Sequence, residues 1–149
     1  MISCTEFILA YNELFKLLYE KGSLEALEDF WDAISKNYLT NLDNLVRVKG
    51  VKGMEEYWGK TLAEEAAGYE IVSSEHKFMI KMHHCPSVGL LNSSGVEKCP
   101  YYCDHCDALY RPIMERYGFS YKIEYLNRDK GRCQVTIEKV ESQEDRIDA

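Results

Sequence analysis

The sequence predicts an α+β domain: helices first, then two β-hairpins that join into a four-stranded antiparallel sheet, with a long cysteine-rich helix between the hairpins. Three observations carry that expectation. Apolar residues recur at helical spacing from Phe7 to Leu62. From Tyr69 onward the apolar period switches to two, the signature of strands half-buried in a sheet. Two stretches rich in turn-forming residues, 73–76 and 127–131, each separate a pair of alternating runs.

The elements follow in order. Phe7, Ile8, Tyr11, Leu14, Phe15 and Leu18 define a first helix, with Ser3 and Glu6 spaced as a capping box and Gly22 as its stop. Ser23 caps a second helix, on which Leu24, Leu27, Phe30, Trp31, Ile34 and Tyr38 form one stripe. A shorter helical turn covers 42–46. Met54, Tyr57, Trp58, Thr61 and Leu62 mark a third long helix that ends before Gly68. Tyr69 and Ile71, then Phe78, Ile80 and Met82, alternate with polar residues as two strands. Pro86 stops the second of these, and 86–98, with two glycines, reads as a loop. Pro100 suits the first turn of a helix reaching Tyr117, with Gly118 as its stop. Pro112 inside that helix should kink or divide it. Phe119, Tyr121, Ile123 and Tyr125 alternate again, and Cys133, Val135 and Ile137 lie on the returning strand. Residues 1–140 read as a single domain and the acidic stretch 141–149 as a frayed tail.

Length and charge narrow the function. A chain of 149 residues can enclose a core without staples. Eighteen Lys+Arg against twenty-five Asp+Glu leave a net charge of −7, which argues against a nucleic-acid partner, since neutralising phosphates needs a basic surface. No apolar run approaches the ~18 residues of a membrane span. The stretch from Met1 to Phe15 lacks the basic and small-residue pattern of a secretory signal. The expectation is a cytoplasmic protein with a small-molecule substrate or ligand and neither nucleic acid nor membrane as partner.

Six cysteines are the most informative feature in that setting, because a reducing compartment favours thiols as ligands, nucleophiles or buried small hydrophobes. Cys85, Cys99, Cys103 and Cys106 fall close together, with His83, His84 and His105 in or beside the same stretch. On a helix starting at Pro100, Cys99, Cys103 and Cys106 share one stripe. Strand alternation assigns His84 to the core face and His83 and Cys85 to the other. The intervening loop is long enough to bring Cys85, Cys103 and Cys106 into one site beside His83 or His84.

Three readings compete for this cluster. As metal ligands, Cys85, Cys99, Cys103 and Cys106 would hold zinc or an iron–sulfur cluster. Seven residues of helix rise about 10.5 Å, so one zinc reaches both Cys99 and Cys106 only if Cys99 folds back ahead of Pro100, whereas a cluster tolerates the spread. As a catalytic site, Cys85 or Cys103 would be the nucleophile, a base would come from His83, His84 and His105, and Tyr102 would donate a hydrogen bond. One of Cys85, Cys99 and Cys103 should then have a thiol pKa below the free value. As packing, the cysteines form a small-residue seam, the reading preferred for Cys4 and Cys133 taken singly. Asp104 and Asp107 suit the first turn of a helix, and Glu64 and Glu65 read as solvated charges.

The run from His84 to Ile137 contains Cys85-Pro86-Ser87 with Gly89, then Tyr102-Cys103-Asp104-His105-Cys106-Asp107, and finally Gly131-Arg132-Cys133. It resembles the L-2-amino-thiazoline-4-carboxylic acid hydrolase family. The resemblance implies a small cytosolic α+β protein that opens a cyclic sulfur- and nitrogen-containing amino acid derivative by hydrolysis. The matching positions are Cys85, Tyr102, Cys103, Cys106, Asp107 and Cys133. The function expected is hydrolysis of a C–N bond in a small cyclic or amide substrate at a Cys/His site. Its alternative is a non-catalytic metal-binding or small-ligand-binding module built on the same residues.

Overall fold

The computed structural model describes residues 4–140, with side chains from residue 6. Ser3, the Cys4 side chain and the tail 141–149 lie outside the described residues. The chain runs α1 (Cys4–Lys21), α2 (Leu24–Asn37), α3 (Thr40–Lys49), α4 (Val51–Glu64), β1 (Gly68–Ser73), β2 (Lys77–His84), α5 (Pro86–Ser94), α6 (Asp104–Arg116), β3 (Phe119–Asn127) and β4 (Arg132–Lys139). The four strands form one antiparallel sheet in the order β1-β2-β4-β3, so the two hairpins meet along β2 and β4. An α+β fold with a four-stranded antiparallel sheet is therefore present.

Alternation in the strands explains the layering. Three rows cross the sheet on one face: Ser73, Phe78, Ile137 and Tyr121; Ile71, Ile80, Val135 and Ile123; Tyr69, Met82, Cys133 and Tyr125. Phe78, Ile137, Ile80, Val135 and Tyr121 in these rows are buried. The other face carries Glu70, Lys81, Gln134 and Glu124 in register, a polar surface that water solvates. One core joins the sheet to α3, α4 and α6, with Trp58 stacked on Phe78 at 5.4 Å. A second core joins α1 and α2 to Leu91, Cys99 and Tyr102.

Local signals account for several boundaries. The Ser23 hydroxyl accepts the Ala26 N–H at 3.2 Å and starts α2. The α3–α4 corner is tight because Gly53 has no side chain: a Cβ there would sit 2.1 Å from the Leu45 carbonyl oxygen. The segment read as a short turn at 42–46 is thereby a full helix, α3, packed against α4.

The stretch between the hairpins differs from expectation. Residues 86–94, expected as loop, form α5, with Pro86 in its first turn and Val88 and Leu91 as its buried stripe. Gly89 belongs to this helix because the His84 ring occupies the space where a Cβ would lie, 2.7 Å away. The second helix begins at Asp104 rather than Pro100. Turns close over 99–104 instead, with Tyr102 N–H on the Cys99 carbonyl at 3.0 Å and Asp104 N–H on the Tyr101 carbonyl at 2.9 Å. Two helices thus stand where one was expected, and α6 passes through Pro112 undivided. Among the described residues no helix is long and apolar enough to cross a membrane.

Candidate functional site

A cavity of about 340 Å³ lies between the core face of the sheet and helices α1, α2, α4 and α6. Most of its wall is aromatic or aliphatic, including Tyr11, Phe15, Trp31, Trp58, Ile80 and Tyr121. Its polar lining consists mainly of Cys85, Ser87, Tyr102, His105, Cys106 and Cys133, with Glu65 from the end of α4. Among the described residues no Lys or Arg lines it.

Chain geometry places each of these groups. Cys85 is the residue before α5, in extended conformation because Pro86 follows. Its N–H donates to the Gly131 carbonyl at 3.0 Å, and Gly131 takes the left-handed φ of 62° that lets the β3–β4 turn press against it. The Cys85 thiol is raised by burial. The backbone N–H groups of Val88 and Ser87 oppose that shift, without closing a cap hydrogen bond. Tyr102 packs against Phe15 and its phenol is raised strongly by burial, with a hydrogen bond from Ser87 opposing.

His105 and Cys106 open α6. The His105 Nδ1 bonds the Tyr102 carbonyl, and Nε2 lies 3.8 Å from the Cys106 sulfur. A carbonyl only accepts, so Nδ1 carries the proton and Nε2 turns its lone pair to the thiol. Burial lowers the His105 pKa and keeps the ring neutral. Burial, then the Asp107 and Asp104 carboxylates, pushes the Cys106 thiol up to about 12. Cys133 is pushed up to about 12 by burial and the neighbouring thiols.

Of the residues singled out in the sequence, Cys85, Tyr102, His105 and Cys106 line the cavity together. Cys103 stands just behind them, near enough for its charge to couple to Cys85 and Cys106, and its carbonyl accepts the Tyr125 hydroxyl at 3.0 Å. Its thiol is raised to about 11 by burial. The other three residues go elsewhere. His83 is exposed on the outer face, 3.0 Å from Glu70. His84 is exposed rather than in the core, since the strand runs past the helices there and its ring rests on Gly89. Cys99 is fully buried in the α1–α2 core, its N–H held by the Asn12 side chain at 2.8 Å.

Two expectations are corrected by this arrangement. The metal set of Cys85, Cys99, Cys103 and Cys106 is not assembled: Asn12 draws Cys99 away, and among the described residues no group of three or more His, Cys, Asp or Glu side chains is placed to hold an ion. The lowered thiol is also absent, because burial outweighs the helix and imidazole neighbours and raises Cys85, Cys99 and Cys103 alike. Sequence reasoning did not single out Ser87, preferred packing for Cys133 taken singly, and read Glu65 as a solvated charge, which it is by exposure although it also lines the cavity. Strand alternation, which puts Cys133 in one row with Met82, was the available signal for one of them.

No family model matches this chain, and no curated protein matches it.

Proposed function

We propose that the protein binds a compact, largely apolar small molecule in the cavity between sheet and helices, with a polar group of the ligand facing Cys85, Tyr102, His105 and Cys106. The observation that carries this reading is the cavity itself: about 340 Å³, walled mainly by aromatic and aliphatic side chains, with a few polar groups in its lining. That combination is what small-molecule sites require. These four groups are neutral, which suits hydrogen bonding to the ligand. The test is ligand-observed NMR with an apolar fragment library against the full chain and against Ile34→Trp, which fills the cavity from α2. Hits that bind the first and vanish with the second support the reading. An absence of hits, or hits unaffected by Ile34→Trp, overturns it.

A second reading is hydrolysis of a C–N bond, the activity that the resemblance implies, and the Cys106–His105 contact favours it. In this scheme the Cys106 sulfur attacks the carbonyl carbon of an amide or lactam while its proton passes to His105 Nε2. The Tyr102 hydroxyl, protonated at neutral pH, donates to the developing oxyanion. His105 returns the proton to the departing nitrogen, and water then cleaves the thioester, with His105 taking a proton from that water and handing it back to the sulfur. Appearance of free amine or ammonia from a panel of small amides and lactams tests this. Turnover should disappear in Cys106→Ala and His105→Asn, and turnover that survives both would exclude the scheme.

A further inference from the structure

Charge is distributed around the cavity in a way that selects among ligands. Among the described residues Glu65, itself solvent-exposed, is the one carboxylate in the lining, and no Lys or Arg side chain accompanies it. Among the described residues its carboxylate has neither a hydrogen bond nor an ion pair. It also stands at the C-terminal end of α4, directly after Glu64, where the helix dipole already concentrates negative charge. Two carboxylates there cost stability, so the helix alone gives no reason for them. The next residue, Ala66, holds the left-handed φ of 54°, the one such non-glycine among the described residues.

The groups around Glu65 fit the same pattern. Its charge reaches Tyr57 and Tyr110, which line the cavity with it. Tyr57 and Tyr110 each stand nearly perpendicular to Trp58, at 86° and 75°, with ring centroids 5.6 and 5.3 Å away. An aromatic wall attracts a cation through the ring quadrupole, and most strongly where water is excluded. The opposite charge fares badly. A carboxylate or phosphate would enter an apolar space that offers it no cationic side chain and faces Glu65.

We propose that the occupant of this cavity is an organic cation, a protonated amine or amidine carried on an apolar body, held by the Glu65 carboxylate and the aromatic wall of Tyr57, Trp58 and Tyr110. Partial desolvation, then the neighbouring Glu64, raises the Glu65 pKa, and a bound cation would favour its charged form. The inference rests on reading the cavity as a ligand site and names the chemical class of that ligand.

Isothermal titration calorimetry on the full chain with three near-isosteric probes tests it: 4-phenylbutylamine, 4-phenylbutanol and 4-phenylbutyrate. The amine should bind about tenfold tighter than the alcohol, and the carboxylate weakest of the three. Glu65→Gln should reduce the amine to the affinity of the alcohol while leaving the alcohol unchanged. Glu64→Gln, which alters net charge equally, should leave the preference in place. An alcohol that binds as well as the amine, or an amine preference that survives Glu65→Gln, overturns this inference and leaves the cavity as a site for neutral ligands. No binding by any probe overturns both readings together.

Discussion

Burial governs the reactivity of individual residues here more than neighbouring dipoles do. Cys106 sits at a helix start beside an imidazole, two features that lower a thiol pKa, yet desolvation and two aspartates carry it up to about 12. At pH 8 the thiolate fraction would be roughly one in ten thousand. Iodoacetamide labelling of the folded protein, read by peptide mass mapping, should therefore give a Cys106 rate that climbs about tenfold per pH unit with no plateau below pH 10. A plateau near neutrality would mean an activated thiol. Tyr121 offers a second case. Its hydroxyl is buried without a partner among the described residues, as is the Trp31 indole nitrogen. Removing an unsatisfied group relieves its desolvation cost, so Tyr121→Phe should leave stability unchanged or raise it by about 1 kcal/mol in urea denaturation.

Among the elements, contacts between distant segments set the shape of the site. Asn12 on α1 donates to the Glu97 carbonyl at 2.8 Å and accepts the Cys99 N–H at 2.8 Å. This pair of bonds ties the α5–α6 connection to the first helix and directs the chain toward Tyr102. Asn12→Ala leaves the buried Cys99 N–H and the partly buried Glu97 carbonyl without their partner and should cost about 1–3 kcal/mol by urea denaturation. If the connection carries the cavity wall with it, the same variant also weakens ligand binding. Gly53 tests the other corner. Gly53→Ala drives a methyl into the Leu45 backbone, which cannot swing aside as a side-chain tip can, and should lower stability by about 1–3 kcal/mol or more. The α6–β3 contact is held differently, by Arg111 and Arg128. Arg111 links Asp107 to the Tyr121 carbonyl, and Arg128 pairs both oxygens of Asp104 while lying 3.8 Å from the centre of the Tyr125 ring. Asp104 and Asp107 thus serve as anchors as well as first-turn acids.

Stability of the whole molecule should follow the neutral state of the groups around the cavity. His105 has a lowered pKa in the folded chain, so below the unfolded value of 6.5 the unfolded state binds more protons and stability is lost as the pH drops. Cys103, Cys106 and Cys133 are raised from 9.0 to about 11, 12 and 12, so their contribution is present below pH 9.0 and is lost as pH rises toward those values. Thermal melting against pH should peak at about pH 7–8. Cys106→Ala should flatten the fall above pH 9.0, because the group that resists ionisation in the folded state is gone. An unchanged alkaline limb would show that the thiol is hydrated rather than buried.

Short-range patterns made much of this architecture legible in the sequence. The period change at Tyr69, the Ser23 cap and the turn at 127–131 each depend on residues within a few positions, and each stands where it was read. The sequence reading put Cys85, Cys103 and Cys106 in one site beside His83 or His84, whereas the fold lines the cavity with Cys85, Tyr102, His105 and Cys106 and leaves both of those histidines exposed outside it. Other features depend on partners far away in the chain. Cys99 left the cysteine cluster because Asn12, 87 residues earlier, bonds its backbone. The segment 86–94 became helix although Gly89 argued for a loop, since the His84 ring needs the space that only glycine leaves. Glu65 is exposed, as a solvated charge should be, yet the fold also sets it in the cavity lining with Tyr57 and Tyr110. A linear pattern records which face a side chain takes, while packing supplies the neighbour across the gap, and that neighbour fixes its hydration and charge.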